Sequence, residues 1–187
     1  MMNTDEKSPN KMYMDLIHSE INRIELIVDE FLVLSKPEVT KLERIEIKQL
    51  LTDIQHFFSL ECQQRNIDLS IVLNDLDLAI KGNVNQIKQV FINLMKNAVE
   101  AIQEDGAIKI ELCTEGEFIY ISLKDNGVGI PEEVLKRIFE PFYTTKSKGT
   151  GLGMMITNKI VTAHNGIIKI RSKVGEGTEI ILRFPLA

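Results

Sequence analysis

The chain has 187 residues, 44% of them hydrophobic and 26% charged, enough apolar material for one full domain and an appendage. No apolar run approaches the ~20 residues of a membrane-spanning helix, and a net charge of -5 argues against a broad electrostatic grip on nucleic acid. The start is polar, with Asp5, Glu6 and Lys7, so no secretory leader is read there and the expected setting is cytoplasmic.

Ser8, Pro9 and Asn10 offer turn chemistry ahead of a helical pattern over 11–36. Met14, Ile17, Ile21, Ile24, Val28 and Phe31 recur at steps of three and four, the period of a bundle seam. Leu16, Ile27 and Leu34 widen the stripe beyond what one partner helix covers, which favours a four-helix bundle. Ser35-Lys36-Pro37 ends the helix. A second amphipathic helix is expected over 47–62, with Leu50, Leu51, Ile54, Phe57 and Phe58 on its apolar side. Ile67, Leu69, Ile71 and Leu73 alternate as a strand ending at Asn74-Asp75, and an extended piece follows near 78–81. Asn83 with Gln86 forms a capping-box signature for a helix through about Ile102. Its apolar face is Ile87, Val90, Phe91, Leu94 and Ala98, while Asn93, Asn97 and Glu100 make a polar stripe.

Strands over 107–114 and 118–124 read as a hairpin through Glu115-Gly116-Glu117, which places Asp125 where a strand leaves its sheet. Pro131 suits the start of a short helix through Phe139, and a longer helix over 152–164 should exit through Asn165-Gly166. His164, near that helix C-terminus, sits where a cation is favoured. Strands over 167–172 and 178–184 flank Gly175-Glu176-Gly177. The pattern implies an α+β fold, with helices packed on one side of a mixed, mainly antiparallel sheet. Cys62 and Cys113 lack metal-ligand or Cys-x-x-Cys spacing, so reduced, buried thiols are expected.

Four stretches between residues 93 and 153 carry the chemistry: Asn93-Leu94-Met95-Lys96-Asn97-Ala98, Asp125-Asn126-Gly127-Val128-Gly129-Ile130, Phe139-Glu140-Pro141-Phe142-Tyr143 and Gly149-Thr150-Gly151-Leu152-Gly153. Each alone has an ordinary reading, as a tight turn or the wet face of a helix. Their order and spacing together describe an ATP site. A buried carboxylate at Asp125 can accept from an adenine amino group, with Thr178 supporting the same edge directly or through water. Gly127 and Gly129 would let the backbone approach the ring and take dihedrals that a side chain forbids. Magnesium prefers oxygen ligands and keeps several waters, so one amide oxygen from Asn97 with phosphate oxygens suffices. N–H groups over 149–153 open a helix toward anions, Lys146 and Lys148 add charge, and 144–149 reads as a lid.

The four stretches resemble the N box, first glycine box, F box and second glycine box of sensor histidine kinases, within the GHKL ATP-binding superfamily. Gly175-Glu176-Gly177-Thr178 resembles a third glycine box. The resemblance implies a GHKL-type two-layer α/β sandwich preceded by one long helix, with residues 1–37 as the second helix of a dimerisation and phosphotransfer bundle and 41–187 as the kinase domain. It implies ATP and Mg2+ as cofactors, with Asn97 as the metal ligand, Asp125 as the adenine anchor and 146–153 as the lid. Nucleotide contacts would extend over Asn93, Gly127, Gly129, Ile130, Tyr143, Lys146, Lys148, Gly149, Thr150, Gly151, Leu152, Gly153 and Thr178. Residues 19–37 are similar to the dimerisation helix of sporulation-type kinases.

Implied partners are an acceptor-histidine bundle helix and a response regulator, with a homodimer for the intact protein, no nucleic acid and no membrane contact by this chain. One departure matters. The family's His-Glu-x-Arg-x-Pro acceptor string does not occur, since His18 is followed by Ser19 and Glu20, so phosphotransfer is expected only in trans. Asn93 stands where hydrolases of the superfamily carry a Glu base, which favours transfer to an imidazole over ATP hydrolysis. The alternatives are a non-catalytic nucleotide-binding module and a GHKL ATPase.

Overall fold

A computed structural model describes residues 42–73, 78–103, 105–146 and 149–187, together with Lys11, Tyr13, Met14, Leu16, Ile17, His18, Glu20, Ile21, Ile24, Ile27, Val28 and Phe31. The chain divides into two units, residues 1–36 and 37–187. In the first, every described residue is helical, and Met14, Ile17, Ile21, Ile24, Val28 and Phe31 are exposed in the single chain. The predicted helix stop at 35–37 and the strand end at Asn74-Asp75 lie outside the described residues.

The second unit runs β1 (Glu43–Glu46), α1 (Ile47–Gln64), β2 (Asp68–Val72), β3 (Ala79–Gly82), α2 (Val84–Ala101), β4 (Ala107–Glu115), β5 (Phe118–Asp125), α3 (Glu132–Leu135), α4 (Gly153–Ala163), β6 (Ile167–Lys173) and β7 (Gly177–Pro185). Five strands form one sheet in the order β2-β4-β5-β7-β6, with β2 parallel to β4 and the other pairs antiparallel. Alternation along β4 and β5 sends Ile108, Ile110, Leu112, Ile119, Ile121 and Leu123 into the core. There they share an apolar layer with Leu50, Leu51, Ile54 and Phe58 of α1, and with Ile87, Val90, Phe91, Leu94 and Met95 of α2. Each such side chain contributes roughly 1.5–3 kcal/mol on leaving water. A two-stranded sheet, β1 against β3, was not foreseen.

The cap of α2 is half of the predicted box. Asn83 Oδ1 accepts from the Asn85 and Gln86 N–H groups, both at 3.1 Å, but Gln86 does not return to the Asn83 N–H. That N–H donates instead to His164 Nε2 at 3.0 Å. His164 is 4% exposed, and its Nδ1 lies 2.7 Å from the Ile160 carbonyl. A carbonyl only accepts and an amide only donates, so the ring carries its proton on Nδ1 and is neutral. This corrects the expectation of a cation at the helix end: the imidazole is a buried staple from α4 to the start of α2. The left-handed exit of α4 falls on Asn165, with φ of 55°, within the expected Asn165-Gly166 pair. Two smaller corrections follow. α3 stops at Leu135 and continues as turns rather than reaching Phe139. Cys62 is buried, but Cys113 is exposed, because it points away from the helices on the outer face of β4.

Candidate functional site

Asp125 ends β5 opposite Thr178 of β7. Its side chain is 5% exposed, and its Oδ1 accepts from the Gly127 N–H at 2.9 Å. Burial holds this carboxyl above its usual range, while the Gly127 and Thr178 N–H groups pull it back. The turn leaving β5 is fastened on three sides. Val128 N–H donates to the Ala101 carbonyl at the end of α2, Gly175 N–H donates to the Val128 carbonyl, and Ile130 N–H donates to Ser172 Oγ. The polar stripe of α2 is thereby drawn beside the strand that carries Asp125.

The glycines around this turn also answer to the packing of chain against chain. A Cβ on Gly129 would lie 2.1 Å from the Lys173 carbonyl oxygen, and one on Gly177 would lie 2.0 Å from that of Asp125. Both residues also take positive φ, 71° and 98°. Gly127 likewise leaves room for the Ala101 carbonyl. Their small size lets chain pass against chain, which holds Asp125 and Thr178 side by side.

Along α2, Asn93 and Asn97 differ. Asn93 is 9% exposed, its Oδ1 accepts from Gln89 Nε2, and its Nδ2 donates to the Gly153 carbonyl and toward Thr157 Oγ1 at 3.5 Å. Its amide therefore braces α2 against the first turn of α4. Asn97 Nδ2 donates to Met154 Sδ, and its Oδ1 accepts from the Lys146 ammonium at 2.9 Å. The same ammonium pairs with Glu100 Oε2 at 2.5 Å. Asn97 thus offers an oxygen that already faces a cation, the chemistry that a hard metal ion asks for. Among the described residues, no group of three or more His, Cys, Asp or Glu gathers as a metal site.

Gly153 opens α4, and among the described residues no side chain caps its N-terminus; Leu152 N–H leans back on Thr150 Oγ1 at 3.4 Å. The first-turn N–H groups and the helix dipole there suit an anion. Tyr143 lies beneath the Arg137 guanidinium, 4.0 Å from ring centroid to Cζ, with Arg137 held by Glu140. Lys148 lies outside the described residues. Sequence reasoning missed Ser172 and the pairing of Glu100 with Lys146. Ser172 could have been suspected as the one polar residue on the inward face shared with Ile168 and Ile170.

A sheet of this order, with an acidic strand end, an amide-bearing helix and an uncapped helix after a glycine-rich segment, defines a nucleotide-binding domain. The chain belongs to the histidine kinase-, DNA gyrase B- and HSP90-like ATPase family, whose model matches residues 82–187. It is 40% identical over 177 residues to sporulation kinase A of Bacillus subtilis (strain 168), a match covering 94% of this chain and 29% of that protein. It is similar to the solved catalytic domain of histidine kinase ThkA, with 34% identity and a TM-score of 0.72 over 78% of this chain and 96% of that one. The structure of ThkA in complex with response regulator protein TrrA matches with 33% identity and a TM-score of 0.81, over 98% of this chain and 53% of that chain. The chain spans less than half the length of the curated sporulation kinases it matches. Among the described residues, no helix is long and apolar enough to cross a membrane.

Proposed function

We propose that this chain is the catalytic portion of a two-component sensor histidine kinase, binding Mg-ATP and passing the γ-phosphate to a histidine on a separate bundle helix. The observation that carries this reading is the contact between Lys146 and Asn97 Oδ1, which brings a phosphate-seeking cation and a metal-seeking oxygen together beside the uncapped start of α4. Asp125, with Thr178, would take the adenine edge. Gly127, Gly129 and Ile130 would frame the base, and the N–H groups from Gly149 to Gly153 would face the phosphates, with Lys148 adding charge. Magnesium, held by Asn97 and phosphate oxygens, would neutralise charge on the transferring group.

The residues here contribute position and charge, and the acceptor imidazole supplies its own lone pair. The contacts of Asn93 support this reading over ATP hydrolysis. Its amide is committed to Gln89, Gly153 and Thr157, and no carboxylate stands there to activate water. The exposed seam from Met14 to Phe31 suits packing against other bundle helices, including those of a second copy. A response regulator would then receive the phosphoryl group from the acceptor histidine.

The test is to mix the chain with an isolated acceptor-helix peptide and labelled ATP. Acid-labile label on the peptide is the expected result. Tight ATP binding with no transfer would leave a nucleotide-dependent interaction module, and steady phosphate release without transfer would leave an ATPase.

A further inference from the structure

Ser172 of β6 pairs in register with Thr178 of β7, and its hydroxyl meets three groups from two segments. Ile130 N–H donates to Ser172 Oγ at 2.8 Å, Ser172 Oγ donates to the Gly177 carbonyl at 2.9 Å, and Thr178 Oγ1 lies 2.9 Å away. A serine hydroxyl has one hydrogen and two lone pairs. The Gly177 carbonyl has no hydrogen to give, so the Ser172 proton is committed there. The remaining bond must then run from the Thr178 hydroxyl to Ser172 Oγ. Both Ser172 lone pairs are filled, by Ile130 N–H and by Thr178 O–H. Thr178, its proton spent, offers only lone pairs to whatever arrives beside its register partner Asp125.

We infer that Ser172 is a specificity-positioning residue of the purine site, fixing Thr178 as a hydrogen-bond acceptor. The edge shared by Asp125 and Thr178 then consists of acceptors alone. A 6-amino purine meets it with an N–H at Asp125 and with N1 served by a water that donates both to N1 and to Thr178, whereas a 6-oxo purine sets its carbonyl against the carboxylate and needs a donor that Thr178 cannot give. This inference rests on the assignment of Asp125 and Thr178 to the base. Ser172 would not touch the nucleotide; it acts through Thr178, and it also ties the turn at Ile130 to the turn at Gly177.

Calorimetric titration of the whole chain with Mg-ATP and with Mg-inosine triphosphate tests it, because these nucleotides differ at the 6-position and its N1 neighbour alone. In Ser172→Ala the Thr178 proton is released and can turn to a 6-oxo group, so the ATP-to-inosine preference should fall by about tenfold, the scale of one redirected hydrogen bond. Ser172→Thr, which keeps the hydroxyl, should restore it. Thr178→Val should lower the preference by itself, and Ser172→Ala should add nothing further in that background.

Equal weakening of both nucleotides in Ser172→Ala would reduce Ser172 to a structural brace and overturn the inference. Should that variant not fold, Thr178→Val decides alone, since it leaves the Ser172 bonds to Ile130 and Gly177 in place; an unchanged preference there overturns the inference too. Failure of the wild-type chain to bind either nucleotide would instead remove the purine-site reading itself.

Discussion

Lys146 Nζ donates to Asn97 Oδ1 over 2.9 Å, linking the segment before the second glycine-rich stretch to the middle of α2. The oxygen proposed for magnesium already holds a monovalent cation, so metal and lysine must trade places as nucleotide enters. Asn97→Ala should therefore cost ATP affinity mainly when magnesium is present, by at least about tenfold (~1.4 kcal/mol). Titrations with magnesium and with EDTA check this. Equal loss in both would assign Asn97 to the nucleotide and not to the metal.

Asp125→Asn should separate binding from stability. Nucleotide affinity should fall strongly, because an amide nitrogen would replace one of the two acceptor oxygens at the base edge. Burial raises the Asp125 carboxyl, so the native state holds that proton more tightly than the unfolded chain. Its contribution to stability is complete below the ordinary carboxylate range and is lost as pH rises through the raised folded value. The variant lacks this loss. Urea unfolding of both proteins from about pH 3 to pH 7 should show the difference moving in favour of Asp125→Asn as pH rises.

His164→Phe keeps a ring of similar size but removes the acceptor of the Asn83 N–H. An unsatisfied buried donor costs about 1–3 kcal/mol. Chemical denaturation should report a loss of that size, while ATP affinity measured well below the transition should stay within about twofold, on the scale of a small coupling energy.

The two thiols should be told apart by labelling. Cys113 is exposed and Cys62 buried, and burial pushes the Cys62 thiol up, with Glu61 adding and Arg65 opposing. An aromatic disulfide reagent at neutral pH should modify Cys113 at once and Cys62 only with unfolding. Rapid modification of both would place Cys62 in an open region.

Periodicity made most of this fold legible. Helices α1, α2 and α4 and the strands of the larger sheet follow from apolar spacing and turn residues, because each buries a single face. β1 stayed hidden, since Glu43-Arg44-Ile45-Glu46 has one apolar residue and its partner strand lies far along the chain at Ala79–Gly82. Asp125, Asn97 and the glycine-rich segments stood out because those residue types at such intervals have few other uses. The working parts of Asn93, His164 and Ser172 did not, as each depends on what the fold brings to a buried polar atom from elsewhere. A polar residue at a helical or strand step reads as a wet face until its neighbour is known.

The close passage of Gly129 over Lys173 and of Gly177 over Asp125 affects how mutational surveys of this domain will read. Alanine at either position collides with main chain before any nucleotide arrives, so its first symptom is a lower melting temperature or poor recovery from expression. A screen scored by activity alone would count both as catalytic losses. Paired measurement of thermal midpoint and ligand occupancy would sort scaffold defects from recognition defects, and would place these two among the former.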